Sequence, residues 1–509
     1  MPFVNSEVRI NTINLTEKVP KIWLYNYFFL LLQPNMTAML YRKYASRIEQ
    51  FLRDNPQKIL LVNGARQIGK SYLIRYVGRK SFRNFVEINL KEDKESMGLF
   101  ATVKSTDDFY MQLGAAYGNL LGTKEDTLVF LDEIQSYPHL MTMLKFLNQE
   151  GRYRYIASGS QLGVALSQTA SVPIGSVAIE EMYPLDFEEF LLAMGCAQET
   201  IDGIRRKFSK GESLNKSLHS YMLQQFKIYL LVGGLPEAIN KFLENRNMTH
   251  VREVQRDIHS LYRIDASQYD AEHRLAIRRI YDSLPSYMEN KKKRIVVKRI
   301  ETTKGHKQFS DYTDEFEYLT SSGIAIPVQA VSNPKFPLLE SESKNLLKLY
   351  MNDVGLLTYI LYGTNINAVL RDERSINLGS VYESVVAQEL KAHGFTLHYY
   401  DNKQRGEVDF LIDDYEQLTV LPIEVKSGKD YTVHSALDKF VSTADYHINR
   451  AVVLSNEREV STKNGITYLP IYYCMFYSSA KTISGEDTII PEFAIQSPPA
   501  QRSKSLKKE

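Results

Sequence analysis

From Leu60 to Ser71 the chain reads Leu60-Leu61-Val62-Asn63-Gly64-Ala65-Arg66-Gln67-Ile68-Gly69-Lys70-Ser71, an apolar run closed by a glycine-bounded loop that ends on a lysine and a serine. A loop of this kind must reverse sharply out of a strand and deliver the chain into a helix. Gly64 permits the turn, and Gly69 lets backbone N–H groups approach an anion with no side chain between. A helix from Lys70 to about Arg79 points its positive N-terminal end at the same spot. The pattern predicts a cradle for nucleotide phosphates built from Gly64, Ala65, Arg66, Gln67, Ile68, Gly69, Lys70, Ser71 and Tyr72. Lys70 is expected to reach the β- and γ-phosphates and Ser71 to ligate Mg²⁺.

The surrounding pattern agrees with that reading. Leu40 to Leu52 has the spacing of an amphipathic helix, Asn84 to Leu90 of a short strand, and Asp107 to Leu121 of a helix. Thr127 to Leu131 is a wholly apolar strand that ends on Asp132 and Glu133, and Arg154 to Ala157 is a strand that ends on Ser158-Gly159-Ser160. Strands alternating with helices predict a parallel sheet that binds its ligand at the strands' carboxyl ends. Two acids at such an end can be mere solvated termini. Next to a phosphate loop they read as a Mg²⁺ ligand, Asp132, and a residue that orients and deprotonates the attacking water, Glu133. Ser158 and Ser160 are candidate sensors of the terminal phosphate, or a plain serine turn.

At 509 residues the chain has room for roughly three domains. A hydrophobic content of 44%, a charged content of 24% and a net charge of +2 describe an ordinary globular composition, so any nucleic-acid contact must be a local patch. The two cysteines, Cys196 and Cys474, show no metal-ligand spacing, which predicts a reducing compartment and a cytoplasmic location. Ile22 to Leu32 is apolar for only eleven residues, too short to span a bilayer, so no membrane partner is expected. Residues 1–38 read as an extension outside the working core, with the start of that core near Met36 or Met39.

Five stretches together, GARQIGKS, TLVFLDEIQ, IASGSQLG, MYPLDFEEFL (Met182 to Leu191) and LVGGLPEAI (Leu231 to Ile239), resemble the bacterial and archaeal AAA-type P-loop ATPases that carry a C-terminal domain of uncharacterised role. The likeness runs from about residue 40 to 480. It implies ATP and Mg²⁺ as cofactors, and a homo-oligomer in which a neighbour supplies an arginine. The family usually has Gly-Arg shortly before its Tyr-Pro-Leu motif, whereas this chain has Gly175-Ser176. If that arginine serves hydrolysis in the family, this member lacks it or uses another, such as Arg152 or Arg154.

Beyond about Phe208 the pattern turns helical. Ala271 to Met288 reads as a helix ending near Pro285, Glu289 to Arg294 as a basic turn, and Asp311 to Ser321 as a second helix, with Ile324 to Val331 as a short ribbon. Helix, helix and ribbon make the pattern of a winged helix. Its recognition helix would carry Asp311, Asp314, Glu315 and Glu317, which repel a phosphate backbone and favour a structural role.

In the last third, Gly379 to His393 reads as a helix bearing Glu383, and two apolar runs flank an acidic turn. A hairpin centred at Glu416-Gln417 places Asp409 opposite Glu424, with Lys426 two residues on and on the same face. Composition alone leaves that register open. Two converging carboxylates beside a lysine suit a Mg²⁺ that polarises a phosphodiester. This D…ExK arrangement resembles the restriction-endonuclease-like PD-(D/E)xK fold, on which Glu383, Asp409, Glu424 and Lys426 fall at the active-site positions.

The fold expected is α/β. A P-loop NTPase parallel-sheet domain (39–205) leads to a helical and winged-helix middle region (206–335), a C-terminal PD-(D/E)xK nuclease-like α/β domain (336–482) and a flexible tail (483–509). The function expected is MgATP binding and hydrolysis, with Lys70 and Glu133 as the acting side chains, controlling a domain that engages DNA or RNA. The alternative is a nucleotide-dependent switch or scaffold whose nuclease-like domain binds without cutting.

Overall fold

The computed structural model describes residues 40–55, 57–160, 162, 175–266, 273–289, 295, 300, 308–371, 376, 378–428 and 430–479. The N-terminal extension, its apolar run, residues 290–294 of the basic turn and the tail expected from 483 lie outside the described residues. From Arg42 onward the chain forms one compact unit.

Helix α1 (Lys43–Asp54) buries Tyr44, Ile48, Phe51 and Leu52, one stripe of a helical repeat. It leads into β1 (Ile59–Asn63), all five residues of which are buried. Strand β1 continues through the phosphate loop into α2 (Lys70–Ser81). Strands β2 (Asn84–Asn89), β3 (Thr127–Asp132), β4 (Arg154–Gly159) and β5 (Val177–Glu181) complete a sheet of order β2-β3-β4-β1-β5. Every pairing in it is parallel. Parallel strands covered on both faces must be apolar throughout, which is why β1 and β3 carry no alternation. Phe109, Leu113, Leu140, Leu144 and Leu147 of the covering helices pack on Val129 and Leu131.

A helical layer follows: α3 (Phe187–Ala193), α4 (Lys216–Val232), α5 (Pro236–Asn245), α6 (Met248–Ala266), α7 (Arg274–Glu289) and α8 (Thr313–Ser321). Helix α7 runs through Pro285 to Glu289 instead of stopping at the proline.

The second sheet has the order β12-β13-β11-β10-β9-β8-β6-β7 and mixes parallel and antiparallel pairs. The stretch expected as a free-standing wing is β6 (Ala325–Val331). It pairs antiparallel with β7 (Glu342–Met351) and parallel with β8 (His398–Asn402), so it is a strand of this larger sheet. Strand β6 is buried at five of its seven positions, and that apolar content is what the sheet takes up. The hairpin is β9 (Gly406–Asp414) and β10 (Thr419–Lys426), and β11 (Ala451–Ser455), β12 (Ser461–Lys463) and β13 (Ile466–Pro470) extend that edge. Helix α9 (Val354–Tyr362) follows β7, and α11 (Ser435–Val441) covers the face lined by Tyr400, Val408 and Val453. Between them in sequence, α10 (Leu378–Ala392) is buried along nearly its whole length.

Asp353 ties the two sheets' surroundings together. One carboxylate oxygen accepts the Leu356 N–H that opens α9 (3.0 Å), and the other accepts the Gly234 N–H of the ATPase-side turn (2.6 Å). Gly233 leaves room for it, since a Cβ there would lie 2.2 Å from the Asp353 oxygen. Removing that carboxylate strands two buried donors. Asp353→Ala is therefore expected to lower the unfolding free energy by about 2–4 kcal/mol in denaturant melts. A melt indistinguishable from that of the wild-type chain would contradict this assignment.

Candidate nucleotide site

The phosphate loop leaves β1 through Gly64 at φ 147°, and both Gln67 (φ 64°) and Gly69 (φ 93°) adopt left-handed conformations. Gly64 admits no side chain, because a Cβ would sit 2.3 Å from the carbonyl oxygen of Met182. Ala65 and Ile68 are buried, Gln67 is exposed, and Tyr72 is 55% exposed on the outer side of α2.

Lys70, the first residue of α2, is buried and donates to the carbonyls of Gly64 and Ala65, each at 2.8 Å. Burial lowers its pKa to about 8, against the pull of the Glu133 and Asp132 carboxylates. The loop lysine and the two acids at the end of β3 therefore share one electrostatic site. Asp132 is buried and accepts from the Ser158 hydroxyl of β4 and from the Glu133 N–H (3.1 Å). Glu133 sits at φ 53°, half-buried, and its carboxylate accepts from the Gln135 side-chain amide (2.5 Å). The same amide nitrogen lies 3.4 Å from the Ser160 hydroxyl. Ser158 and Ser160 thus both face the acids across the carboxyl end of the sheet. Ser71 is half-buried in the first turn of α2. The donor set fits a magnesium-bound polyphosphate: a buried cation, a buried carboxylate, a hydroxyl and a glycine-bounded loop whose first glycine has no room for a side chain.

The expected substitutes for the absent arginine are not in this site. Arg154 opens β4 and donates to the Leu52 carbonyl, while Arg152 lies over the Tyr110 ring at 4.4 Å. Ser176, whose carbonyl accepts from Ile59 N–H (2.9 Å), is likewise level with the start of β1. Strands β1 and β4 are parallel, so all three positions lie at the amino end of the sheet and the loop at the other.

Four contributors escaped the sequence reading. Asn63 donates to Glu181 (2.8 Å) and to the Ser321 carbonyl (3.2 Å). Arg42 donates to the Ile68 carbonyl (3.1 Å) and pairs with Glu189 (3.3 Å). Gln135 holds Glu133, as described above. Asp265 pairs with Arg66. A carboxylate in the last turn of a helix opposes the helix dipole, and at Asp265 that mismatch is a readable hint of a facing cation.

In the second sheet, the register that pairs Ile423 with Phe410 brings Asp409 and Glu424 to the next position along. Asp409 accepts from Val425 N–H (2.9 Å), and Lys426 donates to Glu424 (2.7 Å). Tyr350 places its hydroxyl 3.4 Å from Glu383 on α10. Burial, reinforced by the Asp409 charge, pushes Glu424 up to about 8, and its second oxygen has no hydrogen-bond partner. The four expected residues therefore meet at one place. No group of three or more His, Cys, Asp or Glu among the described residues is disposed to hold an ion.

Residues 56–191 match the AAA domain family, residues 223–367 a domain of unknown function (DUF8612), and residues 378–474 a second domain of unknown function (DUF4143). Among solved structures, the chain is similar to the Walker-type ATPase PABY2304 of Pyrococcus abyssi at 15% identity, with 67% of this chain and 99% of that one covered and a TM-score of 0.39. It is similar at 13% identity to the Thermotoga maritima RuvB Holliday junction branch migration motor, with 58% of this chain and 92% of that one covered and a TM-score of 0.27. Scores this low carry no argument. No curated protein matches the sequence. The family match and the loop geometry together identify an AAA-type P-loop domain. No helix among the described residues is long and apolar enough to cross a membrane.

Phosphates bind the protonated form of Lys70. With its pKa near 8 in the free chain, bound nucleotide must raise it, so binding takes up a proton above that pH. Nucleotide affinity is expected to fall as pH rises from about 8 towards 10, by at most tenfold per unit, in titrations followed by calorimetry. Affinity independent of pH across that window would contradict the buried-lysine assignment.

Proposed function

We propose that the chain is an AAA-type ATPase that binds and hydrolyses MgATP between β1 and α2, and that its nucleotide state controls the C-terminal domain. One observation carries this reading: the buried Lys70 ammonium shares its electrostatic surroundings with Asp132 and Glu133 from the neighbouring β3. The loop's N–H groups and Lys70 hold the phosphates. Ser71 and Asp132 would hold magnesium, which when bound would neutralise charge on the phosphates. Glu133, steadied by Gln135, takes a proton from the water that attacks the γ-phosphorus while the bond from phosphorus to the ADP oxygen breaks. Ser158 and Ser160 report on the terminal phosphate through Asp132 and Gln135.

For the C-terminal domain, the convergence of Glu383, Asp409, Glu424 and Lys426 supports a nuclease-like layout that engages nucleic acid. Binding without cutting is the second reading, and it is supported by the finding that no group of three or more His, Cys, Asp or Glu among the described residues is disposed to hold an ion. The middle helices act as a lid in either case. The charge at α8 argues against a DNA-reading role for that helix, since Asp314 and Glu317 are exposed on it. Assembly into a homo-oligomer would set a neighbouring copy of the chain beside this site.

Lys70→Ala is expected to abolish MgATP binding, and Glu133→Gln to keep binding while slowing turnover roughly 100-fold or more. Unchanged affinity in the lysine variant would remove the phosphate-loop assignment. Incubation with labelled single- and double-stranded DNA and RNA, with Mg²⁺ or Mn²⁺ and with or without ATP, separates the two C-terminal readings. Cleavage lost in Asp409→Ala and Lys426→Ala supports a nuclease. Retention of intact nucleic acid supports the binding module.

A further inference from the structure

Arg66 is, with Lys70, one of two charged side chains in the phosphate loop, and its surroundings differ from those of an ordinary surface arginine. Its Nε lies 3.4 Å from the Ser160 hydroxyl, which the Gln135 amide also approaches while holding Glu133. The guanidinium is thus linked through two side chains to the residue placed to activate water. On its other side NH1 donates to Asp265, whose side chain is only 8% exposed. Asp265 is the penultimate residue of α6, where the helix dipole already disfavours a negative charge. Its local supports are also tied to the loop. The Tyr262 hydroxyl donates to the Arg66 carbonyl (2.8 Å), and the Tyr318 hydroxyl of α8 donates to the Asp265 carbonyl (2.7 Å). Burial raises the pKa of Asp265, and the Glu133 charge adds to that against the pull of Arg66. One carboxylate, Asp265, thus holds the guanidinium directly, and a second, Glu133, is reached from it through Ser160 and Gln135.

We propose that Arg66 is the arginine, supplied by the chain's own phosphate loop, that meets the terminal phosphate of ATP, and that Asp265 is its counter-ion in the nucleotide-free chain. The inference rests on the nucleotide-site reading above. A triphosphate entering the loop offers Arg66 a stronger, doubly charged partner. Asp265 then faces both that anion and its own helix's negative end with no cation beside it. The end of α6 is driven off the loop, and the helical layer registers the terminal phosphate. ADP, which does not reach that far, leaves the Arg66–Asp265 pair closed.

The test is titration of the full chain with MgATP and MgADP, followed by calorimetry. Asp265→Asn removes the competitor and should tighten MgATP binding roughly tenfold, with MgADP unchanged. A gain of this kind is not produced by damage to the fold, and Asp265→Ser provides a second variant should the first prove unstable. Arg66→Ala should weaken MgATP about tenfold or more while sparing MgADP, and in that background Asp265→Asn should have no effect. Unchanged or weaker MgATP binding in Asp265→Asn, or equal losses of both nucleotides in Arg66→Ala, overturns the proposal. If the wild-type chain binds and Lys70→Ala does not, such a result strikes the inference alone. If wild type and Lys70→Ala both fail to bind, the nucleotide site itself is refuted and this inference with it.

Discussion

The backbone between Asn63 and Ala65 is pressed from two directions, and the arrangement of the chain depends on that squeeze. On one side the Met182 carbonyl lies so near Gly64 that a single added carbon would overlap it. On the other, a Cβ on Gly323 would come within 2.9 Å of the Ala65 nitrogen. The phosphate loop is thereby held between the strand-to-helix segment after β5 and the end of α8. Close approach of this kind needs glycine at both contacts, and left-handed backbone at Gly64 and Gly323 makes either hard to replace. A loop so confined has its N–H groups aimed before any ligand arrives, which lowers the ordering cost of binding.

The same confinement makes the loop a junction. Arg42 joins it to Glu189, and Glu189 forms a capping box with Asp186 at the start of α3. Asp186 in turn takes Lys43 (2.7 Å) and His393 (3.2 Å), the latter just past the end of α10. Within α10, Glu389 accepts the Phe187 N–H (2.9 Å) and Gln388 accepts the Val354 N–H (2.9 Å). Two turns earlier the same helix carries Glu383 towards the carboxylates of the second sheet. One rigid element thus touches the ATPase core at one end and the C-terminal cluster at the other. Contiguity of this sort supplies a route for coupling, and a two-state change along it is what would make the route work.

Much of this was legible in the residues. Unbroken apolar runs announced β1 and β3, the glycines announced the loop, and the acidic turn announced a hairpin, whose register only the structure fixes. Those features are local, governed by strand period and turn chemistry. What the sequence hid was long-range. Nothing in Ile324 to Val331 says that it will pair with β8, because an apolar strand suits any open edge. Asp265 and Arg66 lie 199 residues apart, and Asn63 and Ser321 are more distant still. Arg152 and Arg154 were plausible by composition, yet strand direction alone puts them at the wrong end of the sheet.

Hydrogen–deuterium exchange of the full chain, with and without MgATP, bears most directly on a nucleotide cradle built into a helical layer. The account predicts slower exchange across residues 64–71 together with faster exchange in the last turn of α6, around Tyr262 to Ala266. Exchange unchanged across residues 64–71, or exchange that is not faster in the last turn of α6, would contradict it.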